Sequence, residues 1–316
     1  MLNTSWRGWL ARLPFLVLAV AAIVLMVRTE RFLTERNLTS MLMLASLVGV
    51  LAMGQAFVLL GGGFDLSQGA MLGLTAAATA WLARAGVGPV PAALAALGIG
   101  TLLGTINGLF VAGVGTNPFV TTLSTQLIYR GATFVLLGGQ AISGVALFSV
   151  LDREITVGGI AFSARAFVFL AAAALAWVVL RQTVFGQYVY ATGSNAEAAR
   201  LAGVRTGRIR VATFALAGLA AGITALMWLS WFRLAKPDTG VGYELSSIAA
   251  CVIGGVSLQG GRGSVLGAAG GCLLLQALES LITMSGFPDE YRTLVTGAVI
   301  LTFAAADALA RFSEQR

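Results

Sequence analysis

The chain has 316 residues, of which 58% are hydrophobic and 10% charged, with a formal net charge of +7. Soluble domains carry about 25% charged residues, so this much apolar surface exceeds what one globular core can hide, and the composition points to a polytopic membrane protein. The cations are spread over short connections rather than gathered on one face or arm, which argues against nucleic acid as a partner. No His is present, which removes Ser-His-Asp and Cys-His nucleophilic arrangements. Cys251 and Cys272 lie in apolar runs without CxxC spacing, so they read as buried thiols, and no metal site is expected. The only lysine, Lys236, sits in LAKPDTG rather than in a P-loop, so any ATP would be bound by another subunit.

In chain order, the opening MLNTSWRGWLARLPFLVLAVAAIVLMVRTE has the outline of a signal peptide. It lacks a small-x-small cleavage site where Val27 and Arg28 close the apolar run, and so reads as a first membrane span. At about 20 apolar residues per span, with shorter ones allowed where a helix is broken or packed inside, about ten segments are expected in one all-α transmembrane domain over residues 1–316. Their cores run from Leu13 to Val27, Leu38 to Leu60, Leu66 to Ala83, Val90 to Val111, Pro118 to Leu137, Ala166 to Leu180, Val211 to Trp231, Leu245 to Val256, Ser264 to Met284, and Leu294 to Leu309.

Two stretches resemble each other: Gly63-Phe64-Asp65-Leu66-Ser67-Gln68-Gly69-Ala70 and Gly242-Tyr243-Glu244-Leu245-Ser246-Ser247-Ile248-Ala249. Aromatic, acid, Leu, Ser and the later Ala align. Asp65 follows two crossings and Glu244 seven, which would place the copies on opposite sides of the membrane, as in an inverted repeat whose broken helices lie along a substrate path. The plainer alternative is that each acid caps the helix that follows it, at the positive end of the helix dipole. Small residues recur at one-turn spacing as Gly100, Gly104, Gly108 and as Gly263, Gly267, Gly271, which lets helices approach closely, either inside one subunit or across a dimer.

In the fifth segment Thr121, Thr122, Thr125, Gln126, Tyr129 and Arg130 recur at three- and four-residue steps and so share one side of a helix. A polar stripe in lipid implies a watery cavity or a polar neighbour. Hydroxyls and amides suit an uncharged, hydroxylated solute; helix-to-helix hydrogen bonding is the alternative. Arg130, Glu279 and Asp307 are the ionisable groups deepest in the expected spans, where such groups pair or face a cavity, and Arg130 with Glu279 is one pairing that would satisfy both. The Gly- and Ser-rich stretch from Gly138 to Arg165, with Asp152, Arg153 and Glu154, forms an external segment able to meet a partner.

The stretch from Gly186 to Arg210 is the longest that lipid could not hold. Ser194 and Glu197 have capping-box spacing, and Gly203 supplies a left-handed end. Between them Ala196 to Ala202 makes about two turns, roughly 12 Å, too short to cross a bilayer. Arg181, Arg200, Arg205, Arg208 and Arg210 against the single acid Glu197 hold this loop on the cytoplasmic side, where both termini then fall by parity. Arg28, Arg31 and Arg36 fall outside and disagree with that rule. Such a helix could touch another protein or be an ordinary solvated connection. Gly254 to Ser264 is glycine-rich and reads as a tight turn rather than a phosphate cradle.

The phrases LLGGGFDLSQGAMLGL, FGQYVYATGSNAEAARLAGV and VGYELSSIAACVIGGVSLQGGRGSVLGA occur in the order seen in inner-membrane permeases of ribose-type sugar ABC importers. The chain resembles that family from about Leu38 to Leu309, with Phe64 where many relatives have Ile. The resemblance implies a bacterial inner-membrane permease that pairs with a second copy or a paralogue and receives a monosaccharide or similar solute from a periplasmic sugar-binding protein. A cytoplasmic ATP-binding cassette ATPase, which holds the ATP and Mg, would drive it; no cofactor is implied in this chain. Asn195 to Gly203 would be the coupling helix, with Ser194, Asn195, Glu197, Ala198, Arg200, Leu201 and Gly203 facing the ATPase. Candidates for the translocation path are Asp65, Ser67, Thr121, Thr122, Thr125, Gln126, Tyr129, Arg130, Glu244, Ser246 and Glu279. An ion-coupled secondary transporter is the alternative, and the lack of a clear pair of membrane-buried carboxylates argues against it.

Overall fold

A computed structural model describes residues 32–157, 160–288 and 290–314. The expected first span, Leu13 to Val27, lies outside the described residues, as do Arg28, Arg31 and the side chains of Arg36 and Asp307. Each of the other nine expected segments coincides with a helix. Among the described residues there are eleven α-helices: α1 (Glu35–Leu60), α2 (Gln68–Arg84), α3 (Pro89–Leu109), α4 (Pro118–Leu137), α5 (Ala164–Gln182), α6 (Val184–Ser194), α7 (Ala196–Leu201), α8 (Thr206–Phe232), α9 (Tyr243–Ile253), α10 (Val265–Met284) and α11 (Glu290–Glu314). A single π-helical turn, Phe110–Val114, continues α3. Among the described residues, five helices are long and apolar enough to cross a membrane: Asn37–Leu60, Pro89–Val114, Ala164–Gln182, Thr206–Phe232 and Val265–Met284. The shorter α9 is apolar but only 11 residues long, the dimension of a broken helix.

Local chemistry sets the helix ends. Pro89 and Pro118 open α3 and α4, where a missing N–H costs nothing. The Asn117 side chain caps α4 by accepting from Phe119 N at 2.9 Å. Gly138, at φ 58°, ends it in the left-handed region.

The packing is organised around α1, most of whose inner two-thirds is buried, and around the seam between α3 and α8. Gly100 meets Gly218 and Gly222, Gly104 meets Phe214 and Gly218, and Gly108 meets Val211. The order of these contacts makes the two helices antiparallel. A Cβ on Gly104 would collide with the Phe214 carbonyl oxygen. The second glycine row closes on α9 in the same way, Gly267 and Gly271 meeting Gly254. Both rows therefore serve packing within one chain. Cys251 and Cys272 are buried free thiols that donate from Sγ to the carbonyls of Ala52 (3.3 Å) and Ala45 (3.1 Å) of α1.

The contacts sort the connections into two ends. One end gathers the α1–α2 turn, the α6–α7 region and the α9–α10 turn. The opposite end holds two short antiparallel ladders, β1 (Ile142–Ser143) with β4 (Leu234–Ala235) and β2 (Glu154–Val157) with β3 (Ile160–Ser163). Strands β1, β2 and β3 lie in the stretch from Gly138 to Arg165 read from sequence as an external segment, and β4 joins it from beyond α8. Asp152 pins that segment: its Oδ1 accepts from Arg165 Nη1 at 2.7 Å and from Ser230 Oγ at 2.8 Å, and the Arg165 guanidinium lies 4.2 Å over the Trp231 ring.

Candidate functional site: a polar layer between two short acid-led helices

Asp65 and Glu244 stand at the starts of α2 and α9, and the backbone brings those starts together. A Cβ on Gly69 would collide with both Glu244 Oε2 and the Gly240 carbonyl oxygen, so the first turn of α2 rests on the loop that leads into α9 only because Gly69 has no side chain. Ser247 Oγ donates to Gln68 Oε1 at 3.0 Å and ties the two helices directly. The resemblance between the two stretches thus corresponds to a physical meeting. The helices that precede them, α1 and α8, also pack antiparallel, Gly61 near Thr213 and Gly54 near Ala217 and Ala220.

On the Asp65 side, Oδ1 accepts from Ser67 N (2.8 Å) and Ser67 Oγ (2.7 Å), an Asx turn that leads into α2. Asn107 Nδ2 donates to Ser67 Oγ at 2.7 Å. Tyr129 donates its hydroxyl to the Leu103 carbonyl at 3.0 Å and to Asn107 Oδ1 at 3.2 Å. Asp65, Ser67 and Asn107 are fully buried, and these bonds join α2, α3 and α4. On the Glu244 side, Oε1 accepts from Gln126 Nε2 at 3.1 Å and from Gly242 N at 3.3 Å, which links α9 to α4. Arg130 Nη1 donates to the Thr239 carbonyl, in the loop entering α9, and feels the charges of Glu244 and Asp238. Asp65 Oδ2 and Glu244 Oε2 are buried with no hydrogen-bond partner among the described residues.

The stripe on α4 faces this layer. Thr121, Thr122, Thr125 and Tyr129 are buried, while Leu123, Leu127 and Ile128 on the other side are exposed. The threonines bond mostly to backbone: Thr121 to Asn117 O, Thr125 to Thr122 O, and Thr122 to Pro118 O and across to Phe64 O at 3.2 Å. Gln126, Tyr129 and Arg130 reach neighbouring helices or loops.

Two expected residues lie elsewhere or act differently. Glu279, on α10, is influenced by Gln276 and Arg292 and makes no ion pair with Arg130, which donates to the Thr239 carbonyl instead. Ser246 is half-buried, and its neighbour Ser247 makes the bond to α2 instead, because the side chain one position on is the one that faces α2. Asn107, Gln68, Ser247 and Thr239 were not singled out by sequence. A lone Asn in the apolar run of α3 carries no periodic signal, although a buried amide in lipid is itself a reason to look for partners.

The loop at the other end also differs in detail. Asn195, not Ser194, caps α7, with Oδ1 accepting from Ala198 N at 2.9 Å. Ser194 is the last residue of α6, a helix the sequence did not suggest here. Glu197 does not reach back to the cap; it pairs with Arg200 at 2.6 Å, and hydrogen bonding to that guanidinium holds its carboxyl below the ordinary glutamate range. Gly203, at φ 88°, ends α7 in a Schellman arrangement: Gly203 N donates to Arg200 O and Val204 N to Ala199 O, both at 3.0 Å. Ala198, Arg200 and Leu201 are exposed, Leu201 at 77%.

Comparison with known proteins agrees with this architecture. Residues 37–304 match the family described as "Branched-chain amino acid transport system / permease component". The ribose import permease protein RbsC of Bacillus subtilis (strain 168) is 36% identical over 93% of this chain and 91% of its own length. RbsC of Escherichia coli (strain K12) is 31% identical over 95% of each chain. The autoinducer 2 import system permease protein LsrC of Escherichia coli (strain K12 / DH10B) is 33% identical over 91% of this chain and 83% of its own. No solved structure matches. A polytopic helical bundle in which two short acid-led helices meet at a buried polar layer, similar over nearly its whole length to import permeases, belongs to this family of transport-system permease components.

Proposed function

We propose that this chain is the membrane-spanning permease subunit of an ATP-driven importer that carries a monosaccharide or similar polyhydroxylated solute across the bacterial inner membrane by alternating access. The observation that carries the reading is identity of 31–36% to two ribose import permeases along more than nine-tenths of the chain. The polar layer is consistent with such cargo: amides, hydroxyls and two carboxylates offer hydrogen bonds to sugar hydroxyls without a fixed cation partner for either acid.

In this reading α7 is the coupling helix. Its exposed Ala198, Arg200 and Leu201 face a cytoplasmic ATP-binding cassette ATPase, which holds ATP and Mg. Arg181, Arg200, Arg205, Arg208, Arg210 and Arg262 lie at that end with Glu197 as the acid among them, which favours a cytoplasmic position for it and for both termini. The strand-bearing end then faces the periplasm and a sugar-binding protein, and the apolar outer face of α4 meets lipid or a second permease copy. The path candidates are Asp65, Ser67, Gln126, Tyr129, Arg130 and Glu244, which the polar layer joins.

Copurification of the chain with its ATPase and binding protein, followed by ATP hydrolysis with and without candidate sugars, tests the reading. Sugar-loaded binding protein is expected to stimulate hydrolysis. Deletion of Ser194 to Gly203 is expected to abolish stimulation while leaving the bundle folded, and normal transport by that deletion would refute the assignment of α7. An ion-coupled secondary transporter predicts uptake by the chain alone, and the relatives, named as import permeases, do not favour it.

A further inference from the structure

Three connections at the α7 end touch backbone to backbone at a cluster of glycines. Gly193, one residue before the end of α6, has no room for a Cβ, which would strike the Leu60 carbonyl oxygen and stand 2.7 Å from Gly261 N. A Cβ on Gly260 would stand 2.7 Å from Gly62 Cα and 2.9 Å from the Gly193 oxygen, and one on Gly261 would strike Ser194. Gly261 N donates to the Leu60 carbonyl at 2.9 Å. Gly62, Gly260 and Gly261 have φ of 76°, 90° and 69°, which side chains other than glycine rarely adopt. Each connection leads to a different element. Gly193 and Ser194 run into α7, Gly62 leads through Asp65 into α2, and Gly260 and Gly261 follow the C-terminal end of α9 and lead into α10. The α3–α4 turn is absent from this set of contacts.

Resting on the importer reading, we infer that the Gly62, Gly193, Gly260 and Gly261 contact is a rigid transmission piece: α6–α7, the exit of α1 and the α9–α10 turn move as one body. Displacement of α7 by an ATPase then acts at once on the entry to α2 and on the exit of α9, and the α3–α4 turn moves relative to it. Backbone packed against backbone has no rotamers to absorb a push, so displacement passes through with little loss. The glycines are positioning residues; they touch no substrate.

Spin labels on the assembled ATPase complex test this without altering a glycine. Gln187, Gln259 and Val114 are exposed on α6, the α9–α10 turn and the end of α3, and the native Cys251 and Cys272 are fully buried. The pair Gln187→Cys with Gln259→Cys is expected to keep one distance between nucleotide-free and ATP-bound states. The pair Gln187→Cys with Val114→Cys is expected to shift by several ångströms. Equal shifts in both pairs, or no shift in the second, would overturn the transmission piece while leaving the importer reading intact; failure of any ATPase to assemble with the chain would overturn both. As a second measurement, Gly193→Ala is expected to lower sugar-stimulated ATP hydrolysis at least tenfold with basal hydrolysis retained. Gly218→Ala, comparably crowded in the α3–α8 seam, is expected to change basal and stimulated rates in proportion. A proportional loss in Gly193→Ala as well would count against the inference.

Discussion

The two acids at the heads of α2 and α9 occupy corresponding places in similar stretches, yet the structure uses them differently. Asp65 turns inward on its own segment, satisfying Ser67 and, through Ser67, Asn107 and Tyr129 on two further helices. Glu244 reaches across to Gln126 and back to Gly242, in a helix whose approach loop is held by Arg130. The first is the keystone of a closed network; the second is a single bridge between α9 and α4. Similar local sequence thus gives one start held by a branched network across three helices and one start whose acid makes a single side-chain bond to α4.

Substitutions sharpen that contrast. Asp65→Ala should have the largest effect on folding, because it strips the partner from two buried Ser67 donors; about 2–3 kcal/mol of stability is expected to go, read as a lowered unfolding midpoint in detergent. Glu244→Gln keeps the shape and an acceptor, so folding should change by less than about 1 kcal/mol while transport falls about tenfold, a separation that uptake and thermal unfolding measured on one preparation would reveal. If Glu244→Gln destabilised the chain as much as Asp65→Ala, the two sites would be equivalent and the contrast lost. Tyr129→Phe removes one hydroxyl from the Asp65 network and is expected to cost about 1 kcal/mol, with a smaller loss of transport than Glu244→Gln. Ser246→Ala should be close to neutral in both assays, within about 0.5 kcal/mol, whereas Ser247→Ala should not.

Most of the helical framework was legible in the sequence because a lipid-facing bundle writes its spans as apolar length, and the nine expected segments among the described residues are helices. The buried side of α4 was legible from its three- and four-residue spacing. Contacts between distant stretches were not. Asn107 gives no pattern in α3, the pairing of Ile142 with Ala235 joins strands of two residues each, and Arg130 chose a backbone carbonyl over Glu279. Caps were legible only to within a residue. Ser194 and Asn195 are both good capping types, and the Glu197 that favoured Ser194 by spacing is drawn instead to Arg200 one turn on.

Uptake into proteoliposomes tests the proposed role most directly. The chain reconstituted with its copurified ATPase and binding protein should accumulate labelled monosaccharide only when ATP is supplied on the α7 side, and should lose that accumulation when Ser194 to Gly203 is removed. Accumulation by the chain alone, driven by an ion gradient without ATP, would contradict it.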